Sequence, residues 1–436
     1  MAGSGKIVLL LAFALAFASM PSAADYYVST TGNDTTGDGS SGNPWATIQF
    51  AINRVSAGDT IHIAVGNYTE NIEANKSVNL LGAGANNTTI SAQLATRHVI
   101  NVFSNSTNIS NLGITGARNY AKAGVYLNYS ERCTIRNNTF YTNDYGVHAY
   151  YSNNNTIANN TAYSNGKGYY IQRSHSNNLT GNKAEFSDND NFFIYQSNYS
   201  NLSSNTGNSS SYGFRSTSTQ GSVFVGNIAK NNTNGYVFLS SNSSNITNNA
   251  AENNTQTGFS FSSSNSNNLE NNFADRNLWG ADIVSSSGNM WNNNSFRNNT
   301  VLGISITSSN RNAFTNNTID LNAQHGIYMK TSANNFTGNT LSRNAVGFFA
   351  EGLGNETPSN ISSNTFSSNF NSVMDNNFFN NYSSNQFKSV NNNVFDPSPN
   401  RSLQYGSSTN FSVYVLMVNQ SSSPSVTVNN ISTSPE

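Results

Sequence analysis

Nine ionisable residues crowd one stretch of a chain that otherwise has few: Asp144, His148, Lys167, Arg173, His175, Lys183, Glu185, Asp188 and Asp190. Only 9% of the 436 residues are charged, against about 25% in an ordinary soluble domain. Local crowding therefore carries information. Asp188 and Asp190 are carboxylates that can act as acid and base or hold Ca²⁺, with Lys167 or Arg173 as proton acceptor or charge clamp. Interleaved with them stand Tyr126, His148, Tyr150, Tyr170 and Gln172, joined by Tyr129 and Tyr151. Rings that cover the apolar faces of sugars, beside amides that read hydroxyls, are what a glycan groove requires. Ordinary turn acids and strand-favouring tyrosines explain the same residues without any site.

What positions these side chains is a repeat of 22 to 23 residues. Glycines fall at Gly124, Gly146, Gly168, Gly213, Gly235, Gly258, Gly280, Gly303, Gly326 and Gly347, and one rung near Asn191 lacks its glycine. An asparagine column accompanies them: Asn138, Asn160, Asn182, Asn205, Asn227, Asn249, Asn272, Asn294, Asn317 and Asn339. A fixed period of this size marks a solenoid. After each glycine, apolar and polar residues alternate with strand period. One inward column runs Val125, Val147, Tyr169, Phe193, Phe214 and Tyr236, and a second runs Leu127, Ala149, Ile171 and Phe238. Two further strands carry Ile135, Ile157 and Leu179, and Phe140, Ala162 and Ala184. Three strands per turn predict an all-β fold, a right-handed parallel β-helix of about 12–15 rungs spaced ~4.8 Å apart. In that fold the asparagines stack along the axis, and the glycine supplies a positive φ at a tight turn. Asp144 and Asp188 then share a turn column two rungs, so ~10 Å, apart.

The ends differ from the repeats. Residues 1–24 read as a secretory signal, with Lys6, an apolar run Ile7 to Met20, and small residues Ser22-Ala23-Ala24. Residues 25–59 hold a strand and a cap helix that opens at Pro44, with Trp45, Ile48, Ala51, Ile52 and Val55 on one face. Residues 60–395 form the β-helix. Residues 396–436 hold terminal strands over 403–418 and a Ser/Pro tail that reads as disordered. Net charge is −1, which gives neither a nucleic-acid footprint nor a basic membrane patch. No integral membrane segment follows the signal. Cys133 is the single cysteine, so no intrachain disulfide forms. It reads as a small turn filler, with a reactive thiol as the alternative. Asp34 and Asp38 offer oxygens to Ca²⁺, and a Gly-rich turn explains them equally. No soft-ligand cluster for copper is present, and no metal site is assigned.

The opening Tyr26-Tyr27-Val28-Ser29, Gly32-Asn33-Asp34, Asn43-Pro44-Trp45-Ala46-Thr47-Ile48-Gln49 and Gly66-Asn67-Tyr68 resembles the start of secreted pectate-lyase-like β-helix proteins. The Asn-x-Ile-x-x-Asn rungs resemble NosD-type repeats and those of archaeal or bacterial surface proteins. The resemblance spans residues 25 to about 395 and implies fold more than activity, because the superfamily includes lyases, hydrolases, epimerases, adhesins and structural proteins. NosD-type proteins are associated with copper-site maturation in a periplasm, and pectate lyases with Ca²⁺ held by several carboxylates. Three functions stay open here. The first is an exported cell-surface or extracellular protein, structural or carbohydrate-binding, whose partner is a polysaccharide or surface glycan. The second is an enzyme, a polysaccharide lyase or glycoside hydrolase. The third is self-association into a surface layer or sheath.

Overall fold

The computed structural model describes residues 23–351, 357–375, 380–388, 392–395 and 412–415. Of the stretch 1–24 read as a signal, residues 1–22 lie outside the described residues, as does the Ser/Pro tail. Three parallel sheets of 16, 16 and 15 strands run the length of the molecule, and each strand pairs with its equivalent one turn away. Parallel strands joined in this way take the right-handed sense. The chain is the right-handed parallel β-helix that its period predicts. One sheet is broad, built of six-residue strands such as Ala123–Asn128, Tyr145–Tyr150, Lys167–Gln172, Asp190–Tyr195 and Tyr212–Thr217. The other two are narrow, built mostly of three-residue strands such as Thr134–Arg136 and Thr139–Tyr141. The last described strand, Ser412–Val415, extends the broad sheet by pairing with Asn392–Phe395.

Register in the broad sheet is strict, with Val125 beside Val147 and Tyr126 beside His148. Inward rings therefore stack on one another. Tyr169, Phe192, Phe214, Tyr236 and Phe259 follow at 4.9, 4.7, 4.9 and 4.8 Å between centroids, the spacing of adjacent strands. Phe192, not Phe193, occupies this column. Phe193 pairs with Tyr170 and faces outward, because the one-residue insertion before Asp190 moves the register by one and so to the other face of the sheet.

Polar ladders close the turns between sheets. Each asparagine of the predicted column is at most 2% exposed. In the Asn227 rung, Oδ1 accepts from Asn205 N at 2.9 Å and from Asn205 Nδ2 at 3.0 Å, and Nδ2 donates to Leu202 O at 2.9 Å. Buried backbone groups at the corners thus find partners that strand pairing does not supply. Three more ladders do the same work. One runs through Asn232, Asn254, Asn277 and Asn299. Another runs through Asn267, Asn289, Asn312 and Asn334. The last is made of hydroxyls at Ser130, Ser152, Ser174 and Ser197. Cys133 sits at a ladder position, its N donating to Asn155 Oδ1 at 2.8 Å. Its thiol is buried and pushed up to about 11 by that burial, so it fills a corner and is not a poised nucleophile.

The glycine column does not serve positive φ. Turn residues of other columns take that conformation, among them Asn137, Asn159, Gly181, Gly226 and Asn248. The column glycines instead lie where a side chain has no room. A Cβ on Gly258 would sit 2.6 Å from the Gly280 carbonyl and 3.0 Å from Asn277 Nδ2.

At the N-terminal end the strand Asp25–Val28 and the helix Ile48–Arg54 cover the first rungs. The helix starts four residues beyond Pro44. Thr47 caps it, and the Glu70 carboxylate accepts from Ile48 N and Gln49 N at 2.9 Å each. Such a cap hides an edge that would otherwise template further strands.

Candidate functional site

The outward residues of the broad sheet form three columns, and the middle one is a floor. Its members His148, Val237 and Ser305 point away from the core yet are only 7%, 7% and 6% exposed. The flanking columns wall them in. On one side stand Tyr145, Lys167, Asp190 and Tyr212, and on the other Asn128, Tyr150, Gln172 and Tyr195. A furrow therefore runs along the solenoid axis.

The head of this furrow is aromatic. His98, Tyr126, His148, Tyr170 and Phe193 follow one another at 4.2, 5.0, 4.7 and 5.0 Å. The Arg215 guanidinium lies over Phe193 at 3.9 Å and ends the series. These rings cover each other's faces. Tyr170, held between His148 and Phe193, presents an edge to solvent and not a platform for a sugar. Ring surface opens in the turn column beyond the Tyr150 wall, chiefly on Tyr129, since Arg173 lies over Tyr151 at 5.6 Å; Tyr129 is 65% and Tyr151 37% exposed. Those two stack at 5.1 Å, and Tyr150 packs edge-on against both. Arg173 donates to Tyr151 OH and to Gln196 Oε1 at 2.9 Å each.

Tyr129, Tyr151, Arg173 and Gln196 all have positive φ, between 47° and 53°. Later rungs fill this turn position with Ser218, Ser240, Ser263, Ser285 and Ser308. The same turn conformation recurs along the solenoid, at Phe186, Arg276 and Leu321 among others, so what sets this face apart is the size of its side chains and not backbone strain.

The proposed acids and bases separate in space. Asp190 is fully buried, its Oδ2 3.4 Å from Lys167 Nζ and 2.7 Å from Arg215. Burial pushes its carboxyl upward while Arg215 and Lys167 pull it down. Asp188 is exposed on the preceding turn, and Arg173 belongs to the tyrosine pair. Of the four residues first read as catalytic, only Lys167 and Asp190 meet. Lys183 and Glu185 form their own pair on a narrow sheet. Gln172 Oε1 meets His148 Nε2 at 3.1 Å. His148 Nδ1, Asp190 Oδ1 and Arg215 Nε are buried without a hydrogen-bond partner. Buried polar atoms are rarely left so, and each calls for an explanation. At the furrow's head a cavity of about 180 Å³ opens between Arg97, His98, Asn101 and Lys122.

His98, Tyr145, Phe193 as an outward ring and Arg215 were not legible as site residues. Arg215 becomes readable once Asn191 is placed in the glycine column, since Arg215 then follows Phe193 in register. His98 lies on an early rung of irregular spacing and leaves no such signal.

Burial lowers His148 to about 4, and burial with Lys122 nearby lowers His98 to about 4. An unfolded imidazole titrates near 6.5. Between these values the unfolded chain binds more protons than the folded one. The His148 contribution is therefore complete above about pH 6.5 and is lost as the pH falls toward 4, amounting to about 3 kcal/mol. In urea unfolding at decreasing pH, His148→Phe, which keeps the ring and removes the proton site, should flatten this loss. An unchanged pH profile would refute the assignment.

Asp34 does not present free oxygens to calcium. Oδ1 accepts from Ala46 N and Thr47 N at 2.7 and 3.1 Å, and Oδ2 from Thr47 Oγ1 at 2.7 Å. Asp38 accepts from Ser40 N at 2.9 Å. Among the described residues no group of three or more His, Cys, Asp or Glu is placed to hold a metal.

A family model described as periplasmic copper-binding protein (NosD) matches residues 52–234 and 207–410. No curated protein matches the chain. Solved structures similar to it include a periplasmic alginate epimerase, 13% identical, TM-score 0.46, covering 80% of this chain and 84% of that one. The mannuronan C-5 epimerase A-module of Azotobacter vinelandii is 14% identical, TM-score 0.38, with 84% and 92% covered. An alginate lyase from Paenibacillus sp. is 13% identical, TM-score 0.37, with 83% and 98% covered. Likeness at this level carries nothing about chemistry.

Proposed function

The chain belongs to the NosD family, and from that premise we propose that it is an exported β-helix protein that binds a glycan along the head of the furrow. The observation that carries this reading is the exposed Tyr129–Tyr151 pair, held at positive φ where later rungs keep serine. The furrow supports it with a walled floor, tyrosine hydroxyls and the amide of Gln172. Tyr126, His148 and Tyr170 form a rigid backing, and Tyr150 joins backing to platform. Lys167 and Arg215 are fixed by Asp190, whose role is to position them. The family's description as periplasmic agrees with export. Among the described residues no helix is long and apolar enough to cross a membrane.

Among the described residues the copper in the family's description finds no clustered donors. His98 Nδ1 accepts from Ala123 N and His175 Nδ1 from Asn198 N, while His62 is paired with Asp25. Met329 is in the core, and the Cys133 thiol is buried.

Glycan-array screening followed by calorimetry tests the proposal. Tyr129→Ala combined with Tyr151→Ala should weaken binding by about 0.5–1.5 kcal/mol, the worth of one stacking surface, with the circular dichroism spectrum unchanged. A protein that binds nothing on the array, or binds equally well without both rings, would end this reading.

A further inference from the structure

The opening motif that caps the solenoid is not used by the furrow, and it builds a cavity of its own. A space of about 690 Å³ lies over the outer face of the first narrow sheet. Its floor holds Tyr27 and His62, which stack at 4.9 Å and 15°. His62 Nε2 meets Asp25 Oδ1 at 2.9 Å, which orients the imidazole. Hydroxyls of Ser29, Thr31 and Ser41 and the amide residue Asn111 line the walls. The overhanging wall is the Ser29–Pro44 loop, and it is held stiffly. Asp34 ties it to the helix start, Trp45 Nε1 donates to Gly37 O at 3.1 Å, and Asn43 Nδ2 donates to Thr36 O at 3.0 Å. Opposite, Gly82 admits no side chain, since a Cβ there would lie 2.3 Å from Asn111 O.

We propose that this cap cavity is a binding site for a short neutral saccharide, separate from the furrow. The volume falls in the range of pre-formed sites for small ligands. Lys, Arg, Asp and Glu are missing from its lining, and the charge nearest its floor, the Asp25 carboxylate held by His62, disfavours an anionic ligand. A ring floor with hydroxyl, amide and imidazole groups around it complements a ligand that has both apolar ring faces and many hydroxyls.

Calorimetry on the full chain with cellobiose and N,N′-diacetylchitobiose as neutral probes, and digalacturonate as the charged one, tests the site. At least one neutral disaccharide should bind with one-to-one stoichiometry. Ser41→Trp, on the exposed loop, should fill the cavity without touching the core and lower affinity at least about tenfold. His62→Ala should do likewise. The furrow variant Tyr129→Ala/Tyr151→Ala should leave this binding within about twofold, since distant sites act independently. The proposal is overturned if neither neutral disaccharide binds, if Ser41→Trp leaves affinity unchanged, or if digalacturonate binds as tightly. Binding lost only in the tyrosine variant would place the sugar in the furrow alone.

Discussion

Asn227→Leu should unfold the middle of the solenoid at markedly lower urea than the parent chain. The side chain has almost the same size, so the effect isolates the hydrogen bonds. Leucine removes the acceptor for Asn205 N and the donor for Leu202 O. Asn205 N is buried at a corner that strand pairing does not reach, whereas Leu202 O, in the middle of the strand Asn201–Ser203, keeps its place in the ladder with Val223–Val225. Asn205 Nδ2 keeps its second partner, Leu179 O at 2.8 Å, and Asn249 Oδ1 still accepts from Asn227 N at 3.0 Å. One backbone group, Asn205 N, is therefore orphaned outright, at roughly 1–3 kcal/mol. The loss should be about 1–3 kcal/mol, whereas Ser240→Ala on the exposed turn should stay within about 0.5 kcal/mol. Because each rung touches only its neighbours, the lesion should also divide the unfolding transition into two. Equal midpoints for the two variants would mean that the asparagine column is decoration and not structure.

That column was legible because its residue type never varies across ten rungs. The other ladders were not, although they do equal work. One mixes Cys133, Asn155, Ser200 and Asn267, and another uses serine with Thr331 among its members, so composition hides a shared geometry. A donor or acceptor one bond from Cβ serves at a corner as well as a full amide does. The inward columns were legible from strand alternation alone, with one failure at Phe193. There a single inserted residue turned an inward assignment outward, and with it went the link from Tyr170 to Arg215.

The rung of Asn191 shows why local reading fails at such a point. Asn191 stands where other rungs have glycine, and Gly207 stands where the facing strand usually has alanine or phenylalanine. The exchange leaves room for the Asn191 side chain, whose Nδ2 donates to Asn208 O and Asn232 Oδ1 at 3.1 and 3.2 Å. It reaches the ladder where Ser187 and Ser210 replace the usual asparagine. Three departures from the repeat compensate one another across two rungs. Each alone reads as noise. The same rung carries Asp190 and Phe193, so the furrow's chemistry is built where the repeat is broken. The aromatic head of the furrow could be read as a set of outward tyrosines. Which of them offers an open face could not, because that depends on stacking between rungs.

Gly258→Ala should destabilise the fold far more than a methyl added to a glycine of the turns. The added carbon would meet the Gly280 carbonyl at 2.6 Å, Asn277 Nδ2 at 3.0 Å and Ala274 Cβ at 3.2 Å. The first of these is backbone of the next rung, itself held by strand pairing, and cannot swing aside. The second is a ladder amide whose displacement would break its bond to Ala251 O, now 3.0 Å. Relief thus requires parting two rungs, and a cost of about 3 kcal/mol follows from overpacking of this kind. Gly288→Ala provides the contrast. Gly288 has φ +68° and only Ser266 Oγ, at 3.7 Å, within reach of a Cβ. Its cost is conformational, about 1 kcal/mol, the penalty of alanine in the left-handed region. Serine and asparagine already occupy equivalent turns, for example Ser266 and Asn154, so the site tolerates a side chain. Urea denaturation of the two variants decides between the roles. If Gly288→Ala proves the more damaging, the column glycines serve turn conformation after all, and close approach between rungs is not what fixes them.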